Sequence, residues 1–407
     1  MAILLLQLLV IVAAGRVIGS LFRRLGQTAV IGEMLAGILL GPSLLGRLFP
    51  SIEAQLFPPA SLPTLHSISQ LGVVLFMFVV GMEVDFDRLR RRARATLVIS
   101  NVGIVVPFAL GMVLSVYLHE DYAPAGVPFL TFALFTGIAM SITAFPVLAR
   151  IIAERGLTGT ELGNMAIGCA AIDDVTAWCL LALVLAVGRG GGFAEPFVAV
   201  TLAGVVALVA LKGVRPRAAR IFGSTEAVVA PPRLLMPVLL FMFAAALSTE
   251  AIGVHALFGA FIAGLAVAGA EALREPLRHA IEPLTTAVLL PLFFAYSGLR
   301  TEVGLLSGAA WLACGLIILA AVAGKFGAIT AAARLHGMPW FDSLALGALM
   351  NTRGLMELIV LNIGYDLGIL SPTMYTMMVI MAITTTCMAG PALAMLGGPA
   401  RLRSFRL

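Results

Sequence analysis

Asp173 and Asp174 stand side by side in an apolar run from Met165 to Val187 that is long enough to cross a bilayer. A carboxylate at the centre of a membrane helix costs roughly 2.5 to 3.5 kcal/mol on insertion scales, a cost that normally marks a function. Neighbouring residues lie about 100° apart around a helix, so the two carboxylates face different directions and do different jobs. One accessible carboxylate can hold either a proton or a small cation. If its empty, charged form cannot cross between orientations, the two ligands must be exchanged, which is antiport by competition.

Buried carboxylates need buried cationic partners, and only Lys325 and Arg353 lie deep enough within apolar segments to serve. Lys325 is one of two lysines among the 26 basic side chains. Arginine stays charged under ordinary conditions, whereas burial can bring a lysine toward neutrality, so Lys325 is expected to be a partner that releases its proton. The alternative is a permanent salt bridge. Arg353 and Glu357 lie four apart and are expected to pair along one helix face, with the arginine also offsetting charge at the broken helix.

Two stretches supply flexible polar backbone. In Ser141 to Arg150, Pro146 has no amide hydrogen and its ring clashes with the carbonyl of Ile142, which breaks a helix there. In Met350 to Leu358, Asn351, Thr352, Arg353 and Gly354 are polar and flexible at what the alignment below makes the same depth. Two broken helices crossing near the midplane, with half-helix ends aimed at a site, are a recurring transporter device.

The elements that hold these residues follow from composition. Sixty per cent of the 407 residues are hydrophobic and 12% are charged, values that no soluble chain of this length needs for one core. The chain reads as an all-α polytopic membrane protein with about 13 crossings, near 2–21, 28–46, 64–83, 96–118, 127–152, 161–187, 195–213, 233–249, 252–270, 280–299, 306–333, 340–364 and 373–396. The first crossing has no basic residue ahead of it, unlike a secretory signal, and is expected to stay in the mature protein. The net charge of +5 lies in short loops, which suits membrane orientation rather than nucleic-acid binding. Cys169, Cys179, Cys314 and Cys387 all fall in apolar stretches without metal or disulfide spacing.

Arg23 and Arg24, the cluster from Arg88 to Arg94, the loop from Lys212 to Arg233 and the tail from Arg401 to Arg406 fall on one side of this map. That side is the cytoplasm by the positive-inside rule, which puts the N-terminus outside and the C-terminus inside. Laying the halves side by side reveals an internal repeat. Leu134 to Thr143 matches Leu344 to Arg353, Ala170 to Thr176 matches Met381 to Cys387, and Leu75 to Glu83 resembles Leu292 to Arg300. Each match joins a crossing to the one seven later, and an odd shift reverses direction, so the repeat is inverted. Asp173 and Asp174 then correspond to Thr384 and Thr385, and only the first half carries the carboxylates.

The segments from Gln27 ("QTAVIGEMLAGILLGPSLLG"), Ile142 ("ITAFPVLARI"), Ala170 ("AAIDDVTAW"), Pro291 ("PLFFAYSGLRTEV") and Met350 ("MNTRGLMELIVLNIG"), together with Lys325, resemble the monovalent cation:proton antiporters over nearly the whole chain. The branch concerned includes bacterial sodium/proton exchangers, potassium-efflux antiporters and plant-type cation/proton exchangers. The resemblance implies that Asp174 binds the cation or a proton, that Asp173 pairs with Lys325, and that Thr143 lies close to the ion. It also implies a homodimer in which a core, 96–190 and 305–407, slides against a dimerisation scaffold, 1–95 and 233–304, with 191–232 as linker span and cytoplasmic loop. Relatives often append a cytoplasmic regulatory domain, so here control by such a domain is expected to be absent or on a separate subunit.

The expected function is therefore secondary active exchange of Na+, slightly favoured, or K+ for protons, electrogenic if Lys325 carries a second proton. The expected setting is a bacterial inner membrane, with lipid, monovalent cations and protons as partners, no enzyme activity and no cofactor. A sodium-coupled organic-solute symporter can share such an architecture but has no particular need for the Asp-Asp and lysine constellation. A cation channel needs a ring of charge, which one asymmetric pair supplies poorly.

Overall fold

The computed structural model describes residues 2–83, 93–157, 160–188, 194–223, 227–253 and 255–396. The arginine cluster at 88–92, Arg189 and the tail from 401 lie outside these residues. All regular structure among the described residues is helical. Eight stretches there are long and apolar enough to cross a membrane, and three shorter apolar helices, Phe129–Ser141, Ala256–Val267 and Trp340–Met350, accompany them.

The first three main helices are α1 (Ala2–Arg24), α2 (Ala29–Leu40) and α3 (Leu62–Glu83). Next come α4 (Ala93–Tyr122), the consecutive pieces α5 (Phe129–Ser141) and α6 (Phe145–Glu154), and α7 (Glu161–Gly188). The middle of the chain forms α8 (Ala194–Leu208), α9 (Pro232–Ile252), α10 (Ala256–Val267), α11 (Glu271–Leu284) and α12 (Leu290–Leu299). The last part forms α13 (Ala309–Val322), α14 (Ala328–Leu335), a second pair of pieces, α15 (Trp340–Met350) and α16 (Leu355–Asp366), and α17 (Pro372–Met395).

Proline marks where several of these helices start. Pro128 precedes α5 and Pro339 precedes α15 in extended conformations, and α9 and α17 carry proline at the first position, where the missing N–H costs nothing. Ser371 caps α17 by accepting from the Met374 amide at 3.2 Å.

The chain groups into two compact units. One comprises Met1–Val12, Leu56–Asp85 and Leu185–Tyr296; there the uniformly apolar α10, buried along Leu257 to Val267, packs on α3. The other comprises Ala13–Gln55, Phe86–Val184 and Ser297–Leu407, and every candidate site residue lies in it.

Candidate functional site

Both helix breaks fall at the ends of the segments whose sequences match. α5 stops at Ser141, residues 142–144 run extended, and α6 starts at Phe145. Pro146 is thus the second residue of α6, where it needs no partner for an N–H, and the carbonyl of Ile142 is released from helical bonding. The second break runs from Asn351 to Gly354 between α15 and α16. Gly354 has φ of +152°, a conformation L side chains rarely adopt. The two breaks meet through one backbone bond, Ala144 N donating to Thr352 O at 3.0 Å.

Asp173, fully buried near the middle of α7, has both oxygens occupied. Oδ1 accepts from the Ser100 hydroxyl of α4. Oδ2 accepts from the Thr143 hydroxyl at 2.8 Å and from Lys325 Nζ at 2.6 Å. Thr143 Oγ1 also lies 3.1 Å from Met350 O, so it ties the first break to the end of α15.

Lys325 sits in a π-helical turn, Ala323–Gly327, between α13 and α14. Such a turn inserts an extra residue and re-aims a side chain, often at a functional site. Besides Asp173, its ammonium donates to Ser141 O at 2.6 Å and Gly103 O at 2.8 Å. All three N–H bonds therefore have an acceptor. Gly103 leaves room there, since a Cβ would stand 2.2 Å from the tip of the Ile329 side chain, which would have to shift.

Arg353 is 1% exposed and makes the expected i,i+4 ion pair with Glu357, but its hydrogen bonds go elsewhere. Its guanidinium donates to Met140 O, to Ala139 O at 3.1 Å and to Ile142 O at 3.4 Å, the orphan carbonyls at the end of α5. The expected partner, Glu357, is 3.7 Å away, within ion-pair range and beyond hydrogen-bond length. The Arg353 amide donates to the Thr386 hydroxyl of α17 at 2.8 Å, which fixes the second break to that helix.

Against this saturated network Asp174 stands out. It is 1% exposed, and neither of its oxygens has a hydrogen-bond partner among the described residues. Both oxygens of Glu357 and Oδ1 of Asn351 share that condition. Asn351 joins Phe326, Thr384 and Cys387 in lining an apolar cavity of about 440 Å³ rather than the carboxylate cluster.

The structure therefore brings Asp173, Lys325, Thr143 and Ser141 into one network and hangs Arg353 on the same half-helix end, with Glu357 3.7 Å from it. Sequence reasoning missed Ser100, Gly103 and Thr386. A serine, a glycine and a threonine inside apolar helices carry little signal, since each more often serves its own helix. Among the described residues no group of three or more His, Cys, Asp and Glu could hold a resident metal.

Comparison with known proteins adds identity to this geometry. The family model described as "Sodium/hydrogen exchanger, transmembrane" matches residues 8–397. The chain is 42% identical over 396 residues to the Na(+)/H(+) antiporter NhaS4 of Synechocystis, covering 96% of both chains. It is 38% identical over 404 residues to Cation/H(+) antiporter 19 of Arabidopsis thaliana, covering 98% of this chain and 50% of the plant protein. In fold it is similar to the sodium proton antiporter MjNhaP1 of Methanocaldococcus jannaschii, with a TM-score of 0.72 at 14% identity and 98% of each chain covered. With the family model matched over nearly its whole length, the chain belongs to the transmembrane sodium/hydrogen exchanger family.

Proposed function

We propose that this protein exchanges a monovalent cation for protons across a membrane, with Asp174 as the carboxylate for which the two compete. One observation carries the reading: Asp174 is buried with both oxygens unpartnered, beside an Asp173–Lys325 pair whose donors and acceptors are all engaged. A bare carboxylate in an apolar interior is costly, so it must hold a proton or a cation, and it holds one at a time. Asp173 acts with it through Lys325, keeping the α4, α5 and α7 elements in register around the site. Thr143 and freed backbone oxygens at the two breaks are hard ligands of the kind that replace the water shell of a small cation.

The relative covered over 96% of its length is named for Na+/H+ exchange, which supports Na+ slightly over K+ as the cargo. The rest of the reading follows the family architecture: about 13 crossings in an inverted repeat, N-terminus outside, in a bacterial inner membrane, working as a homodimer. The core segments 96–190 and 305–407 carry the site by elevator-type alternating access, the scaffold being 1–95 and 233–304 and the linker 191–232. Exchange is electrogenic, with more than one proton for each cation.

The test is purified protein in liposomes, with internal pH followed while Na+, K+, Li+ and Rb+ are varied outside. Antiport predicts proton movement opposite to the cation and strictly dependent on it. Cation flux without proton counterflow would make the protein a channel, and flux that requires an organic solute would make it a symporter.

A further inference from the structure

Glu357 is the titratable group that this mechanism leaves unused. It lies in the first turn of α16, is fully buried, and neither oxygen accepts a hydrogen bond among the described residues. Its i–4 neighbour Arg353 has turned its guanidinium onto the carbonyls of α5 and stands 3.7 Å off. The sequence favours Lys325 as carrier of a second proton, but Lys325 is poorly placed to give one up. Its three N–H bonds meet three acceptors, and a neutral amine, with two, would strand one of them. Asp173 is equally engaged, with donors on both oxygens. Among the described residues of this region, Glu357, in a 3.7 Å ion pair with Arg353, and Asp174 are the two carboxyls whose oxygens accept no hydrogen bond.

We propose that Glu357 is the second proton carrier of the exchange cycle, protonated when Asp174 is protonated and ionised when Asp174 holds the cation. The inference rests on the assignment of Asp174. One cation binds to Asp174, the carboxylic acids of Asp174 and Glu357 each lose a proton, and two protons leave. Asp174 with its cation is then neutral, and Glu357 is a carboxylate that needs a counter-charge. Arg353 supplies it by closing the 3.7 Å gap to hydrogen-bond length. Lys325 stays charged throughout, its three N–H bonds remaining on Asp173, Ser141 and Gly103.

The surroundings of Glu357 fit a two-state carboxyl. α16 packs on α5, α6 and α17. α5 carries no titratable side chain; α17 carries Cys387 and Tyr375, whose hydroxyl bonds to Ser297 O at 3.1 Å; α6 carries Arg150 and Glu154. Arg353 and Lys325 are the charges whose influence on Glu357 the structure shows, so gain and loss of its proton are balanced against two cations. Because the proton-loaded site is neutral and the cation-loaded site carries one negative charge on Glu357, each cycle moves one net charge.

The experiment counts protons released as Na+ is added to the purified full-length protein in nanodiscs, with a pH indicator and calorimetry in parallel. The wild type is expected to release close to two protons per Na+ bound, Glu357→Gln close to one with Na+ binding retained, and Glu357→Asp, which keeps a carboxyl, close to two. The wild type labelled with 13C-glutamate provides a readout that depends on no variant folding. Na+ should remove a protonated-carboxyl infrared band that shifts with the label. Two protons released by Glu357→Gln, or a lost band insensitive to glutamate labelling, overturns the inference. Failure of the Asp174 assignment is separable, since it appears as Na+-coupled proton release in Asp174→Asn.

Discussion

The contrast between Asp173 and Asp174 is one of hydrogen bonding rather than depth, since both are almost wholly buried. Asp173 accepts three donors, whereas neither oxygen of Asp174 accepts any among the described residues. Asp174→Asn keeps the shape and removes the charge, so exchange should fall to background while the protein remains folded by size-exclusion profile. Competition also fixes a pH dependence. As pH falls, protons occupy the carboxyl and apparent cation affinity weakens, by about tenfold per pH unit for each proton displaced once that proton is mostly bound. Transport rate against cation concentration at several pH values measures the slope; a flat slope would mean separate cation and proton sites. Ser100 makes a sharper residue-level case, because nothing in its sequence context sets it apart from any serine that bonds back to its own helix. Removing its hydroxyl takes one donor from the Asp173 carboxylate, worth about 1.5–3 kcal/mol for a hydrogen bond to a charged group. Ser100→Ala should move the pH profile of exchange, Ser100→Thr should restore it, and loss of activity at unchanged profile would mark Ser100 as merely structural.

At the scale of elements, the two breaks were legible in the sequence and their wiring was not. Pro146 and the run Asn351 to Gly354 announce interruptions through backbone chemistry that acts locally, on the residue itself and one turn away. The i,i+4 spacing of Arg353 and Glu357 announced an ion pair, which forms at 3.7 Å, but Arg353 precedes α16 and lies in the break, and the spacing gave no sign of where its hydrogen bonds go. Its guanidinium serves a partner more than 200 residues away in sequence, the open end of α5. Lys325 caps the same end through Ser141 O. Two cations on one half-helix C-terminus answer the partial negative charge of its unpaired carbonyls, a tertiary solution that no local pattern encodes. The corresponding end of α15 is closed instead by the Thr352 hydroxyl on Leu349 O. Arg353→Gln should therefore loosen the first break in particular, lowering stability by about 3 kcal/mol or more, since several charge-assisted bonds are lost together. Thermal unfolding in detergent reads the total, and Arg353→Lys should recover only part of it, because an ammonium lacks the fork that spans adjacent carbonyls.

At the scale of the whole molecule the question is whether a cycle moves net charge, and the answer depends on which buried group accompanies Asp174. That the chain is a set of apolar helices followed from runs of apolar residues, a signal that survives averaging over about 20 positions. Charge movement depends on the occupancy of single atoms, which composition cannot express. With Lys325 held by three acceptors, and no donor hydrogen-bonded to Glu357 among the described residues, exchange of two protons for one cation is expected to leave Lys325 charged throughout. In liposomes without a pH gradient, a membrane potential clamped by an ion that is not transported should drive uphill cation movement. The work available is about 2.3 kcal/mol per net charge at 100 mV, enough for a cation gradient of about fiftyfold. No response in protein shown to be active would establish one-for-one exchange. Two variants then assign the second proton. Glu357→Gln should abolish the voltage response while exchange through Asp174 continues. Lys325→Gln removes the charge that Asp173 depends on, so it should slow exchange and lower thermal stability while whatever transport survives stays voltage-driven. The reverse pattern, with voltage dependence lost in Lys325→Gln and kept in Glu357→Gln, would return the second proton to the lysine and leave Glu357 as a structural carboxyl.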